Sequence, residues 1–247
     1  MPEIEVAERP GVGPAGVPRP SEDRVVVLSN AVVVLDGVTS RRPPDRDGGW
    51  YATLLAAELA RQLSERPCEQ LRALLADSIG AVAAAHDLVP HDSPSSTVAM
   101  VRWSESTVDA LVLADSPVVV FDPHPHVFVD EQLATLRASG RDLSQLRNRE
   151  GGFWVAEADP SAADHAATAS WPTSSVDTVL VMTDGVSCGV EEYGLFSWEQ
   201  ALRLADEHGA DAVLDRIQAA ERGDPQRQRW PRYKVHDDQA LAVIRFR

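Results

Sequence analysis

The sequence predicts an α+β fold in which helices cover sheets whose strands are joined mainly by short turns. Three observations predict it. Apolar runs at 31–35, 179–182 and 240–244 have the length and the β-branched composition of buried strands. Leucine-rich stripes recur every three or four residues between 51 and 82, the spacing of helices that cover a core. The strand-like runs between 95 and 121 follow one another without the intervening helices that a parallel nucleotide-binding sheet requires.

Taken in order, residues 1–20 carry Pro2, Pro10, Pro14, Pro18 and Pro20 with Gly11, Gly13 and Gly16. That composition disfavours both a helix and a central strand, so a flexible N-terminal segment is expected, followed by a single domain over 21–247. The runs 25–28 and 31–35 flank Ser29-Asn30, which has turn chemistry, and read as a β-hairpin. A tight hairpin sets its open ends side by side, which places Glu22 and Asp23 beside Asp36. A loop over 38–47 leads to two helices, one with the stripe Tyr51, Leu55, Leu59, Leu63 and one with Leu71, Leu74, Leu75, Ile79, Val82. Pro67 suits the first position of the second helix, where no N–H is needed.

Segments 95–103, 108–114 and 117–121 read as successive strands, extended by 127–129. Residues 131–172 are irregular, with short helices over 132–138 and 159–169 around Gly151-Gly152, and predict an insertion or flap rather than a sheet layer. A strand runs into Thr183-Asp184-Gly185. Helices follow at 197–207 and 210–221, then a loop bounded by Pro225 and Pro231, and a last strand over 238–246.

Composition narrows the function. With 247 residues, 44% of them hydrophobic, there is material for a substantial core. A formal charge of −15 disfavours binding to nucleic acid or to an anionic membrane surface, and it favours cations. No apolar run approaches the ~20 residues of a spanning helix. No basic stretch precedes an apolar one at the N-terminus, so no signal peptide is expected. Cys68 and Cys188 make no disulfide framework, and free thiols suit a cytoplasmic protein.

The chemistry lies in acids at strand ends. Asp36-Gly37 and Asp184-Gly185 close two apolar runs, Asp237-Asp238 precede a third, Asp115 lies between two strands, and Glu22-Asp23 sit at the mouth of the hairpin. Carboxylates so far apart in sequence, all at strand ends, point to one site at one edge of a sheet. Converging carboxylates repel, and a bound cation makes such a cluster tolerable. All-oxygen ligation points to Mg²⁺ or Mn²⁺. Two such ions can activate a water and clamp a phosphoryl group.

The order Ser21-Glu22-Asp23, Leu35-Asp36-Gly37, Ser95-Ser96-Thr97, Ala114-Asp115-Ser116, Thr183-Asp184-Gly185 and Asp237-Asp238-Gln239-Ala240 resembles the metal-dependent PP2C-like (PPM) protein serine/threonine phosphatases over residues 21–247. The resemblance implies an αββα sandwich, with two antiparallel sheets face to face, helix pairs outside and metals in the cleft at one end. It implies that Asp36 bridges two metals, with the Gly37 carbonyl as a further ligand. Asp184 and Asp237 would ligate directly, and Glu22 and Asp23 would hold metal-bound waters. Asp115 with Asp184 would match a weaker third site, and Asp238 would lie behind the ligands. The activity implied is hydrolysis of phosphoserine and phosphothreonine in proteins by a metal-activated water, without a covalent intermediate, in a serine/threonine kinase pathway.

The chain departs from the family pattern at Val38-Thr39-Ser40, at Pro117 and at Ala240. It also departs at Pro18, which stands where an arginine is usual, with Arg19 one position off. Phosphate recognition is therefore assigned to other basic residues, Arg41 and Arg42 past the first acid and Arg229, Arg232 and Lys234 ahead of Asp237. The alternative function is a catalytically impaired module that binds a phosphorylated or regulatory partner.

Overall fold

In the computed structural model of the protein, the described residues are 1–13, 15–39, 46–138, 143 and 146–246. Two five-stranded sheets, antiparallel throughout, form the centre. Across the first run β1 (Glu3–Arg9), β10 (Gln239–Arg245), β9 (Thr178–Met182), β6 (Val118–Asp122) and β7 (His124–Phe128). Across the second run β2 (Asp23–Val27), β3 (Ala31–Asp36), β4 (Val98–Trp103), β5 (Thr107–Leu113) and β8 (Ala167–Pro172). The helices are α1 (Gly48–Glu65), α2 (Leu71–Ala85), α3 (Glu131–Ala138), α4 (Asp184–Glu191), α5 (Trp198–His208) and α6 (Ala210–Arg222), with a 3-10 helix at Pro160–His165.

The unbroken valine run of β3 follows from burial on both faces. Side chains alternate across a strand. Val32 and Val34 point between the sheets, where they pack with Val118, Val181 and Ala242 of the opposite layer. Ala31, Val33 and Leu35 point outward into the cluster of Leu55 and Leu59 from α1 and Leu74 and Leu75 from α2. On the far side, Leu180, Met182 and Leu241 meet Val213, Leu214 and Ile217 of α6. Each fully buried valine or leucine contributes about 1.5–3 kcal/mol. The αββα sandwich of two antiparallel sheets is thus the observed architecture. Among the described residues no helix is long and apolar enough to cross a membrane.

Four expectations need correction. Residues 1–20 do not form a uniform flexible segment: Glu3–Arg9 pairs with β10 along its whole length. The prolines bracket this stretch rather than interrupt it, and its register is set by Ile4 and Val6, which pack towards the inter-sheet core. Residues 131–172 are not solely an insertion, because β8 is the edge strand paired with β5. Half-buried and exposed residues alternate along this strand, and its first four, Ala167-Thr168-Ala169-Ser170, lack the bulk that would have signalled it. The second helix begins at Leu71, so Pro67 belongs to the preceding turn. Asp184 opens a helix, α4, which was not anticipated.

Candidate metal centre

Asp23 and Asp36 are directly paired residues at the end of the β2–β3 ladder, where the hairpin argument places them. The opposite sheet supplies Asp184, the first residue of α4, and Asp237 and Asp238, immediately ahead of β10. Thr183 ties the layers together. Its Oγ1 donates to Asp23 Oδ2 at 2.7 Å and accepts from the Ala240 N–H at 3.1 Å.

Two glycines permit the approach. A Cβ on Gly37 would run into the backbone of Gly48, so glycine lets the first turn of α1 lie against the Asp36-Gly37 peptide. A Cβ on Gly185 would strike the carbonyl of Asp238, so glycine lets α4 begin beside the entry to β10. The Ser95-Ser96-Thr97 stretch fixes the Asp36 backbone. The Asp36 N–H donates to Thr97 Oγ1 at 3.0 Å, and Ser96 Oγ donates to the Asp36 carbonyl at 2.9 Å. Thr97 in turn shares a 2.6 Å hydrogen bond with Ser116.

Asp23 is buried, and its Oδ1 has no hydrogen-bond partner among the described residues. Burial, reinforced by Asp238, Asp184 and Asp237, pushes its carboxyl well above the usual range. Asp36 is likewise pushed well up by burial and by the charges of Asp23 and Asp237. Glu22 is raised mainly by burial, against hydrogen bonding from Thr39 and the charges of Arg19 and Lys234. Thr39 donates to Glu22 Oε2 at 2.5 Å, and Arg19 forms an ion pair with the same oxygen.

Lys234 enters this cluster from the opposite sheet. Its side chain is only 8% exposed, and Nζ lies 2.5 Å from Asp237 Oδ1, 3.1 Å from Asp238 Oδ2 and 3.8 Å from Glu22 Oε2. Burial alone would lower its pKa, but Asp237 and Asp238 outweigh that and hold it above the ordinary lysine value. A cleft of about 70 Å³ beside it is lined by Asp184, Gly185, Cys188, Glu221 and Asp237.

The remaining basic residues divide. The Arg232 guanidinium is spent on Asp224 Oδ2 and on the carbonyls of Glu221, Asp224, Trp230 and Val235. Arg232 and Lys234, expected as substrate contacts, are here engaged with the protein's own acids and loop. The Arg229 guanidinium lies 4.3 Å from the Trp230 ring centroid, and its backbone N–H donates to Asp224 Oδ1 at 3.3 Å. Arg41 and Arg42 lie outside the described residues.

Asp115 sits in the β5–β6 turn after Ala114, whose φ of 70° is strained for a non-glycine residue. Its charge acts on Asp36 and also on Asp130 and Glu191. Asp130 was missed. It is buried, Oδ2 has no hydrogen-bond partner among the described residues, and burial raises its carboxyl. The overlooked signal is the one used elsewhere, an apolar run (127–129) ending in an acid. Gly11 was also missed: its N–H donates to Asp238 Oδ1 at 2.8 Å, so the segment after β1 walls the site.

The donor chemistry fits a hard divalent cation. The cluster is all carboxylate, its two facing acids are held close by the backbone, and a buried oxygen is left without a partner. Among the described residues, however, no three His, Cys, Asp or Glu side chains form a ready metal cage. The Lys234 ammonium stands among the oxygens that would have to converge.

The sequence model described as protein phosphatase 2C matches residues 20–219. A search of curated proteins gave no match. Among solved structures, the catalytic domain of the serine/threonine protein phosphatase PstP, in complex with two manganese ions, superposes with a TM-score of 0.64 at 16% identity, covering 99% of this chain and 97% of that one. Stp1 from Staphylococcus aureus gives 0.65 at 14%, covering 99% and 95%. The PPM serine/threonine phosphatase MsPP from Mycobacterium smegmatis, in complex with cacodylate, gives 0.62 at 14%, covering 98% and 97%. At these identities the structural likeness establishes the fold.

Proposed function

The chain belongs to the protein phosphatase 2C family, and from that premise we propose that it hydrolyses phosphoserine and phosphothreonine monoesters in proteins, with Mg²⁺ or Mn²⁺ as cofactor. The observation that carries the reading is the meeting of Asp23 and Asp36 from one sheet with Asp184 and Asp237 from the other, with Asp23 Oδ1 left unbonded.

Asp36, the Gly37 carbonyl, Asp184 and Asp237 would hold the cation, with Glu22 and Asp23 beside it and Asp115 completing a weaker position. What the cation supplies is Lewis-acid activation of water and neutralisation of phosphoryl charge. The chain's own part is placement. Thr183 orients Asp23, and Thr97 and Ser96 fix the Asp36 peptide. The first turn of α1 and the Ser95-Ser96-Thr97 stretch wall the site. Arg229 on the loop ahead of Asp237, and Arg19 beside Glu22, are the described cations proposed to meet a phosphate. Phosphorylated proteins of a serine/threonine kinase pathway are the proposed partners, and the cytoplasm the proposed location.

Hydrolysis of p-nitrophenyl phosphate with and without Mn²⁺, beside Asp184→Ala, tests this. Mn²⁺-dependent turnover that the variant loses supports it. Metal-independent turnover overturns it. No turnover with any divalent metal also overturns it and leaves a non-catalytic phosphoprotein-binding module.

A further inference from the structure

Lys234 is the single lysine of the chain, among 23 basic residues that are otherwise arginine. Its position is as unusual as its identity. Its ammonium donates hydrogen bonds to Asp237 and Asp238 and lies 3.8 Å from Glu22 Oε2. Asp238 and Glu22 are themselves buried, so the ammonium supplies counter-charge where solvation by water is lost. An ammonium is a compact point charge, whereas a guanidinium is a broad planar fork. Of the two, only the lysine head resembles a metal ion in size and in being ringed by oxygens.

A second observation sits across the same cluster. Asp23 is 2% exposed, and its Oδ1 has no hydrogen-bond partner among the described residues, while Lys234 serves the acids on the Asp237 side. The counter-charge is therefore uneven: the ammonium is paired with Asp237 and Asp238, its charge also acts on Asp36, and the buried Asp23 Oδ1 has no hydrogen bond. A divalent ion would need carboxylate oxygens at about 2.0–2.6 Å. With Nζ 2.5 Å from Asp237 Oδ1, an ion at that oxygen would compete with the ammonium for charge and space.

We propose that the Lys234 ammonium is a resident cation that takes one cation position of the carboxylate cluster, so that the protein binds one divalent ion fewer than the same cluster binds without the lysine. This rests on the reading of the cluster as a metal site. It makes Lys234 a positioning residue, one that sets how many ions the acids hold and which acids remain for them.

Calorimetric titration of the metal-free protein with Mn²⁺ tests it, using wild type, Lys234→Met and Lys234→Arg. The expected result is one more Mn²⁺ per chain in Lys234→Met than in wild type. Lys234→Arg should gain none. An equal number in wild type and Lys234→Met, at whatever affinity, overturns the inference while leaving the metal site standing. Binding by Lys234→Met alone supports the inference and overturns the proposed function. Binding by no form overturns both.

Lys234→Met leaves buried acids uncompensated and could unfold without metal, so a second measurement uses wild type. With ¹⁵N-lysine labelling the Nζ gives one side-chain resonance. It should stay protected from solvent exchange through the first equivalent of Mg²⁺. Conversion to a free-lysine signal at that first equivalent would show that the ion displaces the ammonium, and overturns the inference.

Discussion

Asp23 and Asp36 face each other as paired residues of neighbouring strands, two carboxylates across one rung of the β2–β3 ladder. Like charges directly opposite on a sheet destabilise it. The pair persists because Val25, Val26, Val33 and Val34 behind it set the register, and the register cannot slip without turning the valines out of both cores.

Removing one member should relieve that repulsion in the metal-free protein. Asp36→Asn is expected to raise the metal-free melting temperature by roughly 2–4 °C, for about 1 kcal/mol of relief. The same variant should lose Mn²⁺-dependent turnover. Calorimetry with and without Mn²⁺ checks the first part. A lower melting temperature without metal would contradict it.

The pH dependence has a definite sign. Burial and neighbouring acids raise the carboxyls of Asp23 and Asp36 when the protein is folded. Such groups bind protons more tightly folded than unfolded. Their contribution to stability is therefore full below the unfolded value and is lost as pH rises through the raised folded value. Metal-free protein should melt higher at about pH 5 than at about pH 8, and Mn²⁺ should remove or reverse the trend because it competes with protons. A metal-free melting temperature that climbs steadily with pH would refute this.

Arg232 and Arg229 should separate in their effects. Arg232→Ala leaves Asp224 and Glu221 without their guanidinium in a nearly buried network. A loss of about 3 kcal/mol is expected, seen as a lower urea midpoint. Arg229→Ala should leave stability within about 0.5 kcal/mol and raise KM for a phosphopeptide with kcat little changed. Unchanged KM would remove Arg229 from substrate binding.

Gly185→Ala should cost at least about 2 kcal/mol and reduce Mn²⁺ affinity together, because the new Cβ pushes α4 off the Asp238 carbonyl and carries Asp184 with it. Chemical denaturation and Mn²⁺ titration of one preparation check both. Full stability would show that the backbone there yields freely.

Deleting residues 1–9 removes β1 and bares the edge of β10 along its length. Loss of solubility or a marked fall in melting temperature is expected, since an exposed strand edge is a template for association. A soluble, equally stable product would show that the N-terminal strand is dispensable.

The sequence by itself determined the α+β class with helices covering sheets, the hairpin that pairs Asp23 with Asp36, and the order of acids at strand ends. These are local consequences of period and turn chemistry. Apolar runs of five residues bounded by turn residues have few other structures available, and a two-residue turn leaves little freedom in what its arms bring together. Strand β1 lay hidden between prolines, and β8 behind the small residues of its first half, because pairing with a neighbour supplies what their own composition lacks. Only the tertiary structure decided what the basic residues do. Lys234, Arg232 and Arg229 lie within six positions of one another and look alike as charges in a loop. Whether such a charge faces water, a neighbouring ring or a buried carboxylate depends on acids brought from Glu22, Glu221 and Asp224. Charge is legible in a sequence, whereas its partner is set by chain segments far away, because electrostatic energy depends on distance and burial and not on order along the chain.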